Sequence, residues 1–240
     1  MKHSIAPAMA LATALALVGA SRASHAAAPD LSGFWQPVQK QTALRTLDGK
    51  APPLTAAAKA VYERRLAKAR AGNRDFDNAE FCRPIGIPRL LAESAFELAQ
   101  TSRQVLFLYE WNRLQRPMDI RAEHDAFDKT YPYYLGHPVA SWDGDTLVVD
   151  SIYFNDDTSL DSTGLPHSDA LHVVERYRLK DADTLESVVS IDDKKDYTAT
   201  WQTRFDFKRM PAGSRLPEDV CEQRMNIKDL NSTKTWTADK

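Results

Sequence analysis

The segment LHVVERYRLKDADTLESVVSID, residues 171–192, decides the fold of this chain. It contains two runs, 171–179 and 184–192, in which apolar and polar side chains alternate, and the polar stretch 180–183 separates them. Alternation with a period of two is typical of strands with one buried face, and a short polar turn joins antiparallel neighbours. The segment therefore predicts a β-hairpin.

Further strands are predicted along most of the chain from about residue 80 onward. A glycine turn before Phe34 starts an earlier strand, and residues 142–145 form a second hairpin turn signal. The other candidate strands are 96–100, 104–111, 116–121, 146–154, 200–208 and 220–225. Eight or nine strands joined by short turns favour a single antiparallel up-and-down β-barrel, because closure leaves no exposed edge. An open sandwich of the same strands is the alternative to this mainly β prediction.

One helix is predicted before the main run of strands, over residues 54–71. Thr55 occupies the N-cap position, apolar residues follow at helical spacing, and Gly72 comes just after the end. The helix carries several Lys and Arg residues, which we interpret as a solvated face.

The first 26 residues are typical of a cleaved secretory signal. Lys2 and His3 precede an apolar run, and small residues follow it. Its removal leaves residues 27–240 as one barrel domain with a net charge of −4, because Lys2 and Arg22 leave with no acid. That charge argues against a nucleic acid or an anionic membrane as partner, and no later apolar run could span a bilayer. We expect a periplasmic or secreted protein.

The chain has two cysteines, Cys82 and Cys221. In an oxidising compartment an even pair usually closes, so a disulfide is predicted between them. Closing so long a loop stabilises a fold by roughly 4 to 5 kcal/mol in the chain-entropy model.

Two long connections, 121–137 and 155–170, interrupt the strands and lie beside most of the histidines. Loops of this length inside a compact domain are usually functional or disordered. Outside the signal sequence the histidines are His124, His137, His167 and His172. This part of the chain is the densest supply of side chains that exchange protons near neutral pH.

The strand 171–179 has two faces, and the sequence leaves their orientation open. If the apolar face points inward, Glu175 lies inside the barrel, and a cation such as Arg89, Arg113 or Arg121 should meet it. If the other face points inward, His172 and Arg176 line the interior.

Three functions compete. The favoured hypothesis is cofactor-free acid–base catalysis on a small organic molecule at a barrel mouth covered by the two long connections, giving a lyase, isomerase or hydratase. A carrier or scavenger of apolar or aromatic ligands is the second. In the third, His137, His167 and His172 with Asp169 or Glu175 hold a metal, although their spacing matches no common zinc pattern.

Each candidate residue has a role in the favoured hypothesis. His172 or His137 is the base, with His167 as a further catalytic candidate, and Tyr134 or Asp169 is the acid or its orienting partner. The candidate substrate-binding residues are Arg121, Arg176, Glu175, Asn155 and Trp111. The substrate, the reaction and the oligomeric state stay open at this level.

Four segments resemble a widespread group of exported bacterial proteins with a lipocalin-like or calycin-like barrel. They are residues 30–35, 82–89, 134–150 and 166–176. The resemblance covers most of the mature chain and implies export and a single barrel. It makes His137, His167, His172 and Glu175 the matching polar positions, and it carries no shared activity.

Overall fold

The structure is a computed structural model that describes residues 28–121, 123–125, 131 and 133–221. The predicted signal sequence, 1–26, lies outside the described residues, as do residues 222–225 of the last predicted strand. Val220 and Cys221, which are described, are not part of a strand.

Nine strands close into a barrel in which each strand lies next to its neighbours in the chain, and the first pairs with the last. The strands are β1 (Gly33–Pro37), β2 (Phe96–Gln100), β3 (Gln104–Tyr109), β4 (Gln115–Ile120), β5 (His137–Asp143), β6 (Thr146–Ile152), β7 (His172–Asp181), β8 (Thr184–Asp192) and β9 (Trp201–Arg209). The helices are α1 (Ala56–Arg70) and α2 (Arg89–Glu93). The predicted mainly β barrel is confirmed, and the hairpin of residues 171–192 is its β7 and β8.

The expectation of a wholly antiparallel barrel is wrong at one position. β4 and β5 run parallel, with Asp119 opposite Val139 and Ile120 opposite Ala140. Strand directions cannot alternate all the way around a closed ring with an odd number of members, so a nine-stranded barrel needs a parallel pair. The parallel pair is formed by the two strands on either side of residues 121–136.

The two ends of the barrel differ. At one end the strands are joined by the tight turns 101–103, 144–145 and 182–183. The opposite end, called the loop end below, carries the connections 38–95, 153–171 and 193–200.

The predicted helix is confirmed as α1. The Oγ1 atom of Thr55 accepts a hydrogen bond from the backbone N–H of Ala58, as expected of an N-cap. Ala58 is the one buried residue of the helix, so most of its surface faces solvent. Tyr62 joins it to the connection 153–171 through a hydrogen bond of 2.6 Å with Thr163.

Aromatic side chains fill the centre of the barrel. The ring of Phe96 lies 4.9 Å from that of Phe107 and 5.0 Å from that of Phe207, between centroids, and Phe107 lies 5.2 Å from Tyr177. All four side chains are fully buried. The interior is therefore a packed core at this level rather than an open hollow.

The predicted disulfide is confirmed between Cys82 and Cys221, which are 139 residues apart. Disulfides persist in oxidising compartments, so the bond fits an extracellular or periplasmic protein. Over the ranges that the structure describes, no helix combines the length and the apolar character needed to cross a membrane.

Candidate functional site

The orientation of β7 places Glu175 inside the barrel. Val173, Glu175 and Tyr177 are fully buried, whereas His172 and Arg176 lie on the outer face. A cation meets the carboxylate as expected, but it is Arg116 on β4 rather than Arg89, Arg113 or Arg121. Nη1 of Arg116 donates to Oε2 of Glu175 at 2.9 Å and Nη2 donates to Oε1 at 2.6 Å, a bidentate pair.

Further polar groups surround this buried ion pair. Nη2 of Arg116 also donates to Oγ of Ser151 at 2.8 Å, and the Tyr177 hydroxyl donates to Oε2 of Glu175 at 2.5 Å. Burial raises the pKa of Tyr177 well above its usual value, so its phenol stays protonated. Burial acts to lower the pKa of Arg116, but the charge of Glu175 outweighs it and the pKa is raised.

Some buried polar atoms near the pair have no hydrogen-bond partner among the described residues. They include Nε of Arg116, the hydroxyl oxygen of Tyr109 and Oγ of Ser187. Burial raises the pKa of the Tyr109 phenol, and the neighbouring Arg116 guanidinium acts to lower it. An unpaired buried polar group destabilises a fold by about 1 to 3 kcal/mol, so the presence of these atoms requires a physical explanation.

β4 and β5 pair at two positions, which are the last two residues of β4 and the third and fourth residues of β5. Pro117 and Pro138 lie where the parallel pairing stops. Proline has no N–H to donate to a neighbouring strand, so it ends a ladder. The two strands diverge from this point toward the loop end.

A cavity of about 410 Å³ lies in the space between the diverging strands. Its lining comes from the starts of β4 and β5, from the residues before β5 and from one proline of the 82–89 segment. The lining residues are Pro84, Gln115, Arg116, Pro117, Tyr133, Tyr134, Leu135, Gly136, His137 and Pro138. Arg116 thus belongs both to this cavity and to the interior cluster.

Backbone contacts hold the wall formed by residues 133–137. The N–H of Tyr133 donates to the carbonyl of Tyr153 at 2.9 Å, and its carbonyl accepts from the N–H of Asn155 at 2.9 Å. Gly136 follows with a φ of +66°, and a Cβ atom there would lie 2.5 Å from the Phe154 ring. Only glycine allows this close approach, which turns the chain into β5 and sets His137 at the cavity.

Three of the four predicted histidines lie close together, around Asp150 on β6. The Nε2 atom of His124 is 3.0 Å from Oδ1 of Asp150, and that of His172 is 3.1 Å from Oδ2. The ring of His137 lies 5.8 Å from that of His124, between centroids. Asp150 and His172 lie on the outer face, so the alternative in which His172 lines the barrel interior is wrong.

The Asp150 carboxylate and the His172 imidazole shift each other's pKa. The hydrogen bond that Asp150 accepts from His172 raises the pKa of His172 above its usual value. Burial acts to raise the pKa of Asp150, but the hydrogen bonds from His172 and His124 lower it overall. Each member of the pair therefore favours the charged form of the other.

His167 is separate from this group. Its ring is buried, Nε2 lies 2.7 Å from Oγ1 of Thr158, and Nδ1 lies 3.1 Å from the carbonyl of Ser168. Burial lowers its pKa, so the imidazole is neutral. We interpret His167 as a structural residue that holds the connection 153–171.

The remaining predicted site residues do not meet at one place, apart from Tyr134 in the cavity. Asp169 is exposed and pairs with Lys195, and Arg176 pairs with Asp143 on the outer face. Trp111 lines a different cavity together with Glu93 and Glu110.

Backbone contacts of two further candidates connect them to the site region. The backbone N–H of Arg121 donates to the Ala140 carbonyl. Asn155 supports Tyr133 through its backbone, and its side-chain oxygen accepts from the N–H of Asp157.

The sequence interpretation missed Arg116 and Asp150. Both could have been found from strand alternation, since Arg116 shares a face with Met118, and Asp150 lies on the face opposite Val149.

Acid titration should separate the two kinds of histidine. His167 has a lowered pKa when folded, so its contribution to stability is complete above the unfolded value of about 6.5 and is lost as the pH falls. His172 has a raised pKa, so its contribution is complete below about 6.5 and is lost as the pH rises. We expect that H167Q makes the free energy of unfolding fall less between pH 7 and 5, and that H172Q makes it fall more. Urea denaturation at several pH values checks this, and equal profiles for the two variants would contradict it.

Within the described ranges, no group of three or more His, Cys, Asp or Glu side chains is arranged to hold a metal ion. The three histidines of the metal hypothesis are also divided between the cavity, the outer face and the buried His167 position.

A scan against protein-family models finds no match to this sequence, and a search of curated proteins finds no significant one. The function is therefore argued from the geometry of the site.

Proposed function

We propose that this protein binds a small organic molecule in the cavity between β4 and β5 and transfers protons to and from it without a cofactor. The reaction would be of the lyase, isomerase or hydratase class. The observation that carries this proposal is the presence of His137, Tyr133 and Tyr134 on the wall of one cavity. An imidazole and phenols in one cavity can serve as a base and as hydrogen-bond donors.

His137 is the base in this proposal. Its ring packs against Tyr133, 5.6 Å away between centroids, and against His124. Asp150 holds the His124 ring in place through a hydrogen bond, and that ring packs against His137. Asp150 is therefore a positioning residue, because it acts on His137 through His124. Packing that restricts the imidazole keeps it aimed at a bound molecule.

Tyr134 is the proton donor or the group that orients the substrate. It lines the same cavity as His137 and lies three residues before it. Its phenol hydroxyl can donate a hydrogen bond to an oxyanion that develops on the substrate.

A carrier function is the second candidate, and the cavity lining supports it. Pro84, Pro117, Leu135 and Pro138 supply an apolar wall, which suits retention of an apolar ligand without chemistry. In this case the ligand would bind in the same cavity, because aromatic side chains fill the barrel centre.

The proposed location is the periplasm or the exterior of the cell. The signal-like residues 1–26, the resemblance to exported bacterial proteins and the disulfide between Cys82 and Cys221 support it.

Proton transfer can be tested before the substrate is known. A panel of small carbonyl compounds is incubated with the protein in D₂O, and ¹H NMR follows deuterium uptake at carbon next to the carbonyl. We expect uptake in at least one compound and a loss of about 100-fold or more in H137N, because removing a general base typically costs that much.

The matched control is H167Q, which changes a histidine outside the cavity. We expect its exchange rate to stay near that of the wild type, with folding of both variants checked by circular dichroism. Binding of a compound that is returned without exchange would favour the carrier function. Unchanged exchange in H137N would refute the catalytic assignment.

A further inference from the structure

We propose that the cavity between β4 and β5 binds a primary carboxamide on a planar apolar body, whose NH2 group donates to the backbone carbonyls of Pro117 and Gly136. This inference rests on the proposed function only for the choice of cavity, and it adds the chemical class of the ligand.

The first step of the argument is the direction of the backbone groups of β4. The N–H of Ile120 donates to the carbonyl of Arg103, just before β3, so the even-numbered residues of β4 bond toward β3. Backbone groups point alternately to the two sides of a strand, and the odd-numbered residues therefore face β5. The N–H and C=O groups of Gln115 and the C=O group of Pro117 point that way.

The second step is the matching edge of β5. The N–H of Arg121 donates to the carbonyl of Ala140, so the backbone groups of residues 136, 138 and 140 face β4. In a parallel ladder the next two hydrogen bonds would join the N–H of residue 138 to the carbonyl of residue 117, and the N–H of residue 117 to the carbonyl of residue 136. Residues 117 and 138 are both proline, so neither bond can form.

The third step is the set of backbone groups that the two prolines leave over. Among the described residues, no hydrogen bond reaches the carbonyl oxygens of Pro117 and Gly136 or leaves the N–H of Gln115. All three residues line the cavity, and Gln115 and Pro117 are exposed. A ligand that displaces water here must supply partners for two acceptors and one donor.

A primary carboxamide matches this set. Its NH2 group carries two donors, one for each carbonyl, and its oxygen accepts from the N–H of Gln115. A hydroxyl group supplies a single donor, and a ketone supplies none. The rings of Tyr133 and Tyr134 on the same wall provide a surface for a planar apolar body.

Benzamide and acetophenone test this inference, because acetophenone has a methyl group in place of the NH2 group of benzamide and the same ring and carbonyl. Isothermal titration calorimetry measures their dissociation constants for the full chain with its disulfide intact. We expect benzamide to bind at least about 10-fold more tightly than acetophenone, the effect of two hydrogen bonds of ordinary strength.

The variant P138A supplies an N–H that the ladder lacks. This N–H can donate to the carbonyl of Pro117 and occupy that acceptor, so we expect the preference for benzamide over acetophenone to fall about 5-fold. P117A supplies the N–H opposite the carbonyl of Gly136, with the same expected effect, and it keeps the test decisive if P138A does not fold. Circular dichroism checks the folding of each variant.

P84A is the matched control. It also removes a proline ring from the cavity wall, but residue 84 belongs to neither strand. We expect the preference for benzamide over acetophenone in P84A to equal that of the wild type. Because the preference is a ratio, it does not change when both compounds lose the same apolar contact.

Three outcomes would overturn the inference. They are binding of acetophenone as tight as that of benzamide, no binding of either compound, and an unchanged preference for benzamide in folded P138A or P117A. Benzamide has no exchangeable hydrogen on carbon next to its carbonyl, so its binding is measured apart from any proton transfer. Failure of deuterium exchange across the carbonyl panel with benzamide binding retained would refute the proposed catalysis and leave this inference in place.

Discussion

Replacing Arg116 by Met is expected to lower the free energy of unfolding by about 3 to 5 kcal/mol, because it leaves Glu175 as an unpaired charge in the barrel interior. Glu175 is fully buried, and Arg116 supplies two of its hydrogen bonds. The remaining bond, from Tyr177, does not neutralise the carboxylate. Urea denaturation at pH 7 measures the change.

The double variant R116M/E175L is the control for this prediction. It removes both charges and keeps apolar side chains of similar length, so we expect it to recover most of the lost stability. A double variant no more stable than R116M would show that packing around Arg116, rather than the charge of Glu175, explains the loss. A cost below about 1 kcal/mol in R116M would contradict the buried pair itself.

The second large effect is expected from the disulfide. Replacing Cys82 and Cys221 together by Ser should lower the free energy of unfolding by up to about 4 to 5 kcal/mol, since the closed loop spans 139 residues. The bond joins the segment that begins at Cys82 to the last described residue of the chain. Guanidinium denaturation of the wild type and the variant under oxidising conditions measures the difference.

Reductant provides the control for the disulfide prediction. The chain has two cysteines, so a reducing agent should destabilise the wild type and leave the double Ser variant unchanged. Equal stability of the oxidised and reduced wild type would contradict the prediction.

The sequence identified several residues of the candidate site, but it did not show where in the fold the site lies. Residue type predicts His137 and Tyr134 as proton-transfer residues, and both line the cavity. Residue type predicts His167 in the same way, yet His167 is buried against Thr158. Residue type and nearness in the chain do not distinguish these positions, because the direction of a loop side chain depends on which distant backbone the loop pairs with. For residues 133–137 that partner is the chain after β6.

For the interior ion pair, the sequence indicated a possible location but not which cation pairs with Glu175. Strand alternation left two orientations open, and it required a cation beside Glu175 only for the one in which the apolar face points inward, since a buried carboxylate without a partner is too costly. The choice of Arg116 depended on the register of β4 against β3 and on the position of β4 across the barrel from β7. These are relations between strands that are distant in the chain.

The sequence by itself determined most of the strands, the helix α1 and the closing disulfide, because each follows from local periodicity, capping or the pairing of the two cysteines. It required a cation at Glu175 only if the apolar face of residues 171–179 points inward. The strand β5 was not predicted from the sequence, because HPVASWD contains a proline and shows no clear alternation of apolar and polar residues. Tertiary structure alone decided that β4 and β5 run parallel, that they diverge at Pro117 and Pro138, and that a cavity lies there. The physical reason is that closing an odd number of strands forces one parallel pair, and only the closed ring determines which pair it is.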